Sequence, residues 1–269
     1  MPTTYAHLRF GKEVLPLLPK DLQAEIKQYL PLFLTGQHGP DILFYYRPYH
    51  KNALSAYGSE LHNETGRQVF QRFRRYLKMQ PGDNTALKVY ILGFLCHYCL
   101  DKYCHPYVYK VQDTGFSHAE IEAEFDRMLL IKDGFDPLSH RLSSHICTDD
   151  EDVAVISKCF PQFSQAQIKE TLVTMRAFLD VIVAPGNFKR GLVKGIFLIS
   201  GNYTTRSKLI INKQPNPKLA ASNEELYRRY KMAVANAVDM LTDFNRQLSK
   251  PNMTFNSDYA PTFRSEEHT

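Results

Sequence analysis

The sequence predicts an all-α fold, and three observations predict it. Apolar residues recur with a helical period in segment after segment. No stretch alternates apolar and polar residues as a half-buried strand would. Several segments open on helix-capping residues, Ser117 and Ser164 among them. The chain has 269 residues and no internal repeat, and it reads as one multi-helix domain over residues 1–250.

Taken in order, Gly58–Lys78 reads as one helix with His62, Gly66, Val69, Phe73 and Tyr76 on a single face. Thr85–Tyr103 is apolar almost all round, as a central buried helix is, and Pro106 is expected to end it, because the residue before proline avoids the helical region. Ser117 caps a helix with His118, Glu122, Phe125 and Leu129 on one stripe. Amphipathic helices follow over Ser164–Val183 and Ser222–Leu248, with another over Asn187–Ser200 after Pro185-Gly186. Loops are expected at Gly36–Gly39, Arg47–Tyr57, Gln80–Asn84, Tyr107–Gly115 and Gly201–Pro217. The segment 251–269 is polar, carries Pro251 and Pro261, and reads as an irregular tail.

Composition excludes little. A formal charge of +5, from 33 basic and 28 acidic residues, does not single out a nucleic-acid binder. The longest apolar runs, Val89–Leu100 and Gly191–Gly201, are broken by His97 and Lys194 and fall short of the roughly 18–20 residues of a membrane span. Without a recognisable signal peptide, the five cysteines are expected as free thiols, and the location as cytoplasmic. Cys96, Cys99 and Cys104 lie in an apolar helix and read as core. His140 and His145, in a Ser-rich stretch, read as surface, and so do His38 and His50 in the loop around Asp41, where lining a pocket is the alternative. Arg67, Arg72, Arg74, Arg75 and Lys78 read as a solvated helix face, with contact to anionic lipid or nucleic acid as the alternative. The run Ile42-Leu43-Phe44-Tyr45-Tyr46 either walls a pocket or packs the core.

Eight residues carry the chemistry: His7, Asp41, His62, His97, Asp101, His105, His118 and Glu122. His97 and Asp101 stand four apart on one face of a helix that is otherwise apolar, and His118 and Glu122 form a second such pair. A carboxylate in apolar surroundings is costly unless it is paired or binds a cation. Imidazole plus carboxylate is the donor set of a catalytic rather than a purely structural metal site. One ion takes about four ligands, so eight candidates fit two or three clustered ions.

The order of these residues resembles the zinc-dependent phospholipase C family, with the single-strand-specific nucleases as its more distant branch. The pattern is an N-terminal His7, Gly39-Pro40-Asp41, the isolated helical His62, His97-x3-Asp101, His105-Pro106 and His118-x3-Glu122. The likeness covers residues 5–125. It implies an all-α fold around a trinuclear zinc cluster. By that likeness Asp41, His62, His97 and Asp101 hold one zinc; His105, His118 and Glu122 hold a second; and Asp101 bridges to a third that His7 also binds. Family members complete the third site with the free amine of an N-terminal tryptophan. This chain has no tryptophan, and Pro2, exposed by loss of Met1, or Met1 itself, is expected in that role.

The implied reaction is hydrolysis of a phosphoric ester, most simply a diester, by water activated on the cluster, with Asp41 able to accept a proton as well as to bind metal. The implied partner is a phospholipid or another phosphodiester, with peripheral membrane contact possible and no obligate protein partner. Two alternatives stand: a nuclease or nucleotide phosphoesterase on the same site, and a non-catalytic metal-binding scaffold. Zinc is the expected metal, while iron and manganese also accept His/carboxylate donors.

Overall fold

The computed structural model describes residues 4–199 and 206–264. Its α-helices are α1 (Thr4–Val14), α2 (Lys20–Gln28), α3 (Leu30–Gly36), α4 (Ala53–Asn63), α5 (Gly66–Met79), α6 (Thr85–Gln112), α7 (His118–Lys132), α8 (Asp150–Ser157), α9 (Gln165–Ile182), α10 (Asn187–Ile199) and α11 (Ala220–Leu248). Short 3-10 turns join them, the one over Gly39–Tyr45 carrying Asp41. There is no β-strand among the described residues, and the all-α expectation holds. Capping boxes start α4 (Asn52 with Ser55), α5 (Thr65 with Gln68), α7 (Ser117 with Glu120) and α9 (Ser164 with Gln167).

Helix α6 is the axis of the fold. Nearly every side chain from Leu87 to Cys104 is buried, as its all-round apolar character requires. Helices α3 and α11 run against it over much of their length. The approach of α3 is close because two glycines face each other: a Cβ on Gly93 would fall 2.2 Å from the Phe33 carbonyl oxygen, and one on Gly36 would fall 2.5 Å from that of Tyr90. All five cysteines are free and buried, and burial pushes the thiols of Cys96, Cys99 and Cys104 up, so these are core residues.

Three local expectations give way. Gly58–Lys78 is two helices, not one: α4 ends at Asn63 and α5 restarts from the Thr65 cap. The reset lets His62 and the α5 core face, Val69, Phe70 and Phe73, be buried without sharing one straight stripe. The loop expected over Arg47–Tyr57 is shorter, because the Asn52 cap starts α4 at Ala53. Pro106 does not end α6, which continues to Gln112 and takes in two thirds of the loop expected at Tyr107–Gly115. Proline removes one hydrogen bond from a helix interior. The turn before it is held from outside, where the Arg229 guanidinium donates to the Tyr103 carbonyl at 3.1 Å.

The segment after Lys250 is irregular apart from a 3-10 turn at Ser257–Tyr259, yet it packs into the core. Tyr259 and Phe263 are fully buried. The Tyr98 hydroxyl donates to the carbonyls of Asp258 and Pro261, both at 2.9 Å. Much of the basic stretch on α5 serves the same segment: Arg67 donates to the Phe255 carbonyl, Arg74 to those of Lys250 and Pro251, and Lys78 to that of Pro251. Arg72 instead pairs with Glu64 and Tyr57. These cations are therefore not simply a solvated face.

The surface reading of His38 and His145 also fails. His38 is fully buried, and its Nε2 meets that of His145 at 2.6 Å. Burial and the neighbouring His145 hold the His38 pKa well below its ordinary value, and burial and Lys12 bring His145 down to about 3.

Two predictions follow from this packing. Gly93→Ala is expected to destabilise the protein by roughly 1–3 kcal/mol through backbone overpacking, measured by urea unfolding. The depressed His38 and His145 contribute stability that is present above the unfolded value of about 6.5 and is lost as pH falls through the folded values. In His145→Gln the acid side of the stability–pH curve is expected to flatten between about pH 6.5 and 4.

Candidate metal centre

Helix α6 projects His97, Asp101 and His105 at successive turns from one face, and the other elements bring their donors to that face. His7 comes from α1, Asp41 from the 3-10 turn, His62 from the last turn of α4, and His118 and Glu122 from the first two turns of α7. The Asp101 carboxylate sits at the middle. Its Oδ1 is 3.2 Å from His7 Nε2; its Oδ2 is 3.0 Å from His97 Nε2 and 3.6 Å from His105 Nδ1. Asp41 places Oδ1 3.1 Å from His62 Nε2 and Oδ2 3.9 Å from His97 Nε2. Glu122 Oε1 lies 2.8 Å from His118 Nε2 and 3.8 Å from His105 Nε2.

Three groups of donor atoms result: His7, His97 and Asp101; Asp41, His62 and His97; and His105, His118 and Glu122, each within 4.8 Å of one another. All eight sequence candidates are brought together. His97 belongs to two groups, and its ring stacks on that of His7 with centroids 4.4 Å apart.

Four imidazoles are oriented by an oxygen behind them. The Nδ1 of His62 meets the Gly58 carbonyl at 2.6 Å, that of His97 the Gln37 carbonyl at 3.1 Å, that of His105 the Phe263 carbonyl at 2.8 Å, and that of His118 the Gln112 Oε1 at 3.1 Å. A carbonyl accepts only from N–H, so each Nδ1 carries a proton, and Nε2 is left as the nitrogen that faces the carboxylates and would bind a metal on giving up any proton of its own. Gly39 makes room for one of them. It has φ +47°, and a Cβ there would fall 2.3 Å from His97 Cδ2.

The group is nearly dry: seven of the eight residues are buried, and His118 is partly exposed. Burial alone would raise the Asp41 carboxyl, but the hydrogen bond with His62 and the charge of His97 outweigh it and hold it at about 2. Glu122 is likewise held at about 2 by His118 and His105 against burial. Burial opposes the charged form of His105, yet Asp101 and Glu122 push it up to about 9.

The residues fit metal ions on two counts. His7 Nδ1, His97 Nε2, His118 Nε2 and Glu122 Oε2 are buried without a hydrogen-bond partner, although two of them lie within 3.0 Å of a carboxylate oxygen. Short contacts without hydrogen-bond alignment are what donors aimed at a common centre make. Their spacings of 2.8–3.9 Å bracket the roughly 3.3 Å edge of a tetrahedron with zinc–ligand bonds of about 2.0–2.1 Å.

Further residues support the site that the sequence did not announce. Asp126, one turn beyond Glu122 on α7, accepts from the backbone N–H of Tyr5 at 3.0 Å and of Ala6 at 2.8 Å, so it caps α1 and fixes where His7 points. Burial pushes its carboxyl up to about 7 against those two donors. Its i+4 spacing from Glu122 was the available signal. Gln37, Gln112 and Phe263 orient imidazoles, and for Phe263, 158 residues from His105, no sequence signal exists. Pro2, expected as the N-terminal ligand, lies outside the described residues.

A cavity of about 590 Å³ lies beside the cluster, with His118 in its lining. Phe44, Tyr45, Tyr49 and Phe178 give it aromatic walls, and His50, Lys51 and Arg206 are its basic lining. The run after Asp41 thus divides: Ile42 and Leu43 pack the core, while Phe44 and Tyr45 face the cavity, Phe44 stacking on His62 at 5.6 Å.

The family model described as zinc dependent phospholipase C matches residues 6–172, a span that contains all eight donors. The chain belongs to the zinc-dependent phospholipase C family. Neither the curated proteins nor the solved structures searched give a match. Membership makes the protein a zinc-dependent, phospholipase-like hydrolase and implies a phospholipid substrate. Among the described residues no helix is long and apolar enough to cross a membrane.

As the orienting oxygen of His118 is a side chain, it can be removed. Gln112→Leu is expected to lower zinc affinity at the His105/His118/Glu122 group by about 10–100-fold, read by competition with a chromophoric chelator.

Proposed function

We propose that the protein is a zinc-dependent phosphodiesterase of the phospholipase C type. Asp41, His62, His97 and Asp101 would hold one ion, and His105, His118 and Glu122 a second. His7 and Asp101, with the N-terminal residue Pro2, would hold a third. The observation that carries the reading is the set of buried, unpartnered donor atoms converging beside an open cavity. A non-catalytic scaffold has no need of that opening.

Zinc supplies Lewis acidity toward a phosphoryl oxygen and lowers the pKa of water at such a site. The chain's own groups do the rest. Asp41 is ionised throughout the neutral range, the form in which it would bind metal and accept a hydrogen bond from the attacking water. His62, His97, His105 and His118 keep their Nε2 turned to the carboxylates because a fixed oxygen holds each Nδ1. The aromatic and apolar walls exclude bulk water and take the alkyl part of a lipid.

A lipid is favoured over a nucleic acid by the state of those walls. The Arg206 guanidinium lies 4.3 Å from the Tyr49 ring centroid and 5.7 Å from that of Phe178, so a face that a base would stack on is already occupied. No carboxylate lines the cavity among the described residues, while Lys51 and Arg206 do, which suits a ligand with an anionic phosphate.

The test is metal content by plasma mass spectrometry together with hydrolysis of short-chain phospholipids and bis-p-nitrophenyl phosphate. Two or three zinc ions per chain and diester hydrolysis are expected. In Asp101→Asn, hydrolysis is expected to fall by roughly 10³-fold or more, with helical circular dichroism kept. Stoichiometric zinc with no turnover on any ester would move the reading to a scaffold, and preferential cleavage of single-stranded nucleic acid would move it to a nuclease.

A further inference from the structure

Helix α10 lies outside the matched family region and turns apolar side chains to solvent. Phe188 is 87% exposed and Ile199 is 90% exposed, and Leu192, Ile196 and Leu198 are exposed between them. Phe188, Leu192, Ile196 and Ile199 share one stripe at helical spacing. The opposite stripe is anchored: Val193 and Phe197 are buried, and Phe197 stacks on Phe178 at 6.2 Å. Phe178 is itself a wall of the cavity beside the metal centre, so the apolar stripe is borne near the cavity.

The charge around this helix is one-sided. From Val181 to Asn223 the sequence has Lys189, Arg190, Lys194, Arg206, Lys208, Lys213 and Lys218, and no aspartate or glutamate. Lys189 and Arg190 bind carbonyls, Lys189 those of Asp180 and Val183, and Arg190 those of Ala184 and Ile211, while Lys208 pairs with Glu120. Lys194, in the helix itself, has no ion pair among the described residues. At 13 residues α10 is about 20 Å long, too short for the roughly 30 Å hydrocarbon core of a bilayer.

We propose that α10 is an interfacial helix that docks the protein on an anionic lipid surface and brings the cavity to its substrate. A short helix with bulky apolar residues on one face and only cations among its charged residues fits the boundary between head groups and acyl chains. A second copy of the chain is a poorer occupant, since a two-fold contact through this face would set cations against cations. The choice of a bilayer rests on the phospholipid reading of the site, but lipid binding is measured without turnover, so the two can fail separately.

The chain has no tryptophan, so Phe188→Trp places a sole reporter on the helix. With vesicles of phosphatidylcholine containing phosphatidylserine, its emission is expected to shift to the blue and to be quenched by lipids brominated on the acyl chain. Co-sedimentation of the full chain is expected to weaken with added salt. In Phe188→Ser/Ile199→Ser it should fall by roughly tenfold or more. Hydrolysis of a soluble monomeric ester should be the same in that variant as in the parent. No shift and no sedimentation with anionic vesicles would overturn the proposal, as would equal binding by the double-serine variant. So would a concentration-dependent dimer in analytical ultracentrifugation that the two serines abolish.

Discussion

The burial of Asp101 is the constraint on which the rest of the structure depends. A carboxylate placed in the wall of an all-apolar helix is tolerated only if positive or hydrogen-bonding groups surround it. Here His7 comes from α1, and His97 and His105 come from the turns either side on α6. Meeting that demand places α1 against α6. Pro106 follows directly on His105, which faces both Asp101 and Glu122 and so links the two halves of the cluster.

The second level of organisation is a shell of oxygens. Four of the five imidazoles have Nδ1 fixed by a carbonyl, and those carbonyls belong to α4, the α3–Asp41 turn, α6 and the C-terminal segment. The shell explains why a polar, irregular stretch ends in a fully buried Phe263. It also gives a purpose to Arg67, Arg74 and Lys78, whose donors hold the start of that stretch against α5. The shell thus spans the chain, although the family pattern covers only residues 6–172.

Chemistry and surface recognition fall on different parts of the molecule. The proposed centre is built from α1, the 3-10 turn that carries Asp41, α4, α6 and α7, while α9 supplies Phe178, which is at once a wall of the cavity and the seat of α10. One aromatic side chain therefore couples the position of the exposed helix to the shape of the cavity. The outer-stripe residues of α10 belong neither to the donor groups nor to the cavity lining, and the two activities can be separated by measurement.

The sequence by itself determined the helical class, the starts of α6, α7, α9 and α10, and the eight candidate donors. These depend on short-range physics: the period of a helix, the chemistry of a cap, and the i, i+4 spacing that aligns His97 with Asp101 and His118 with Glu122. Even the break between α4 and α5 was written in Thr65-x-x-Gln68, a capping box that the apolar periodicity overrode. What only the tertiary structure decided was every pairing across long separations. His105 meets the Phe263 carbonyl, Asp126 caps α1, His38 meets His145 inside the fold, and the carbonyl of Tyr103 finds Arg229 beside Pro106. A backbone carbonyl is the same in every residue and leaves no trace in a side-chain pattern. Which one stands behind a given imidazole is therefore fixed only when the helices pack.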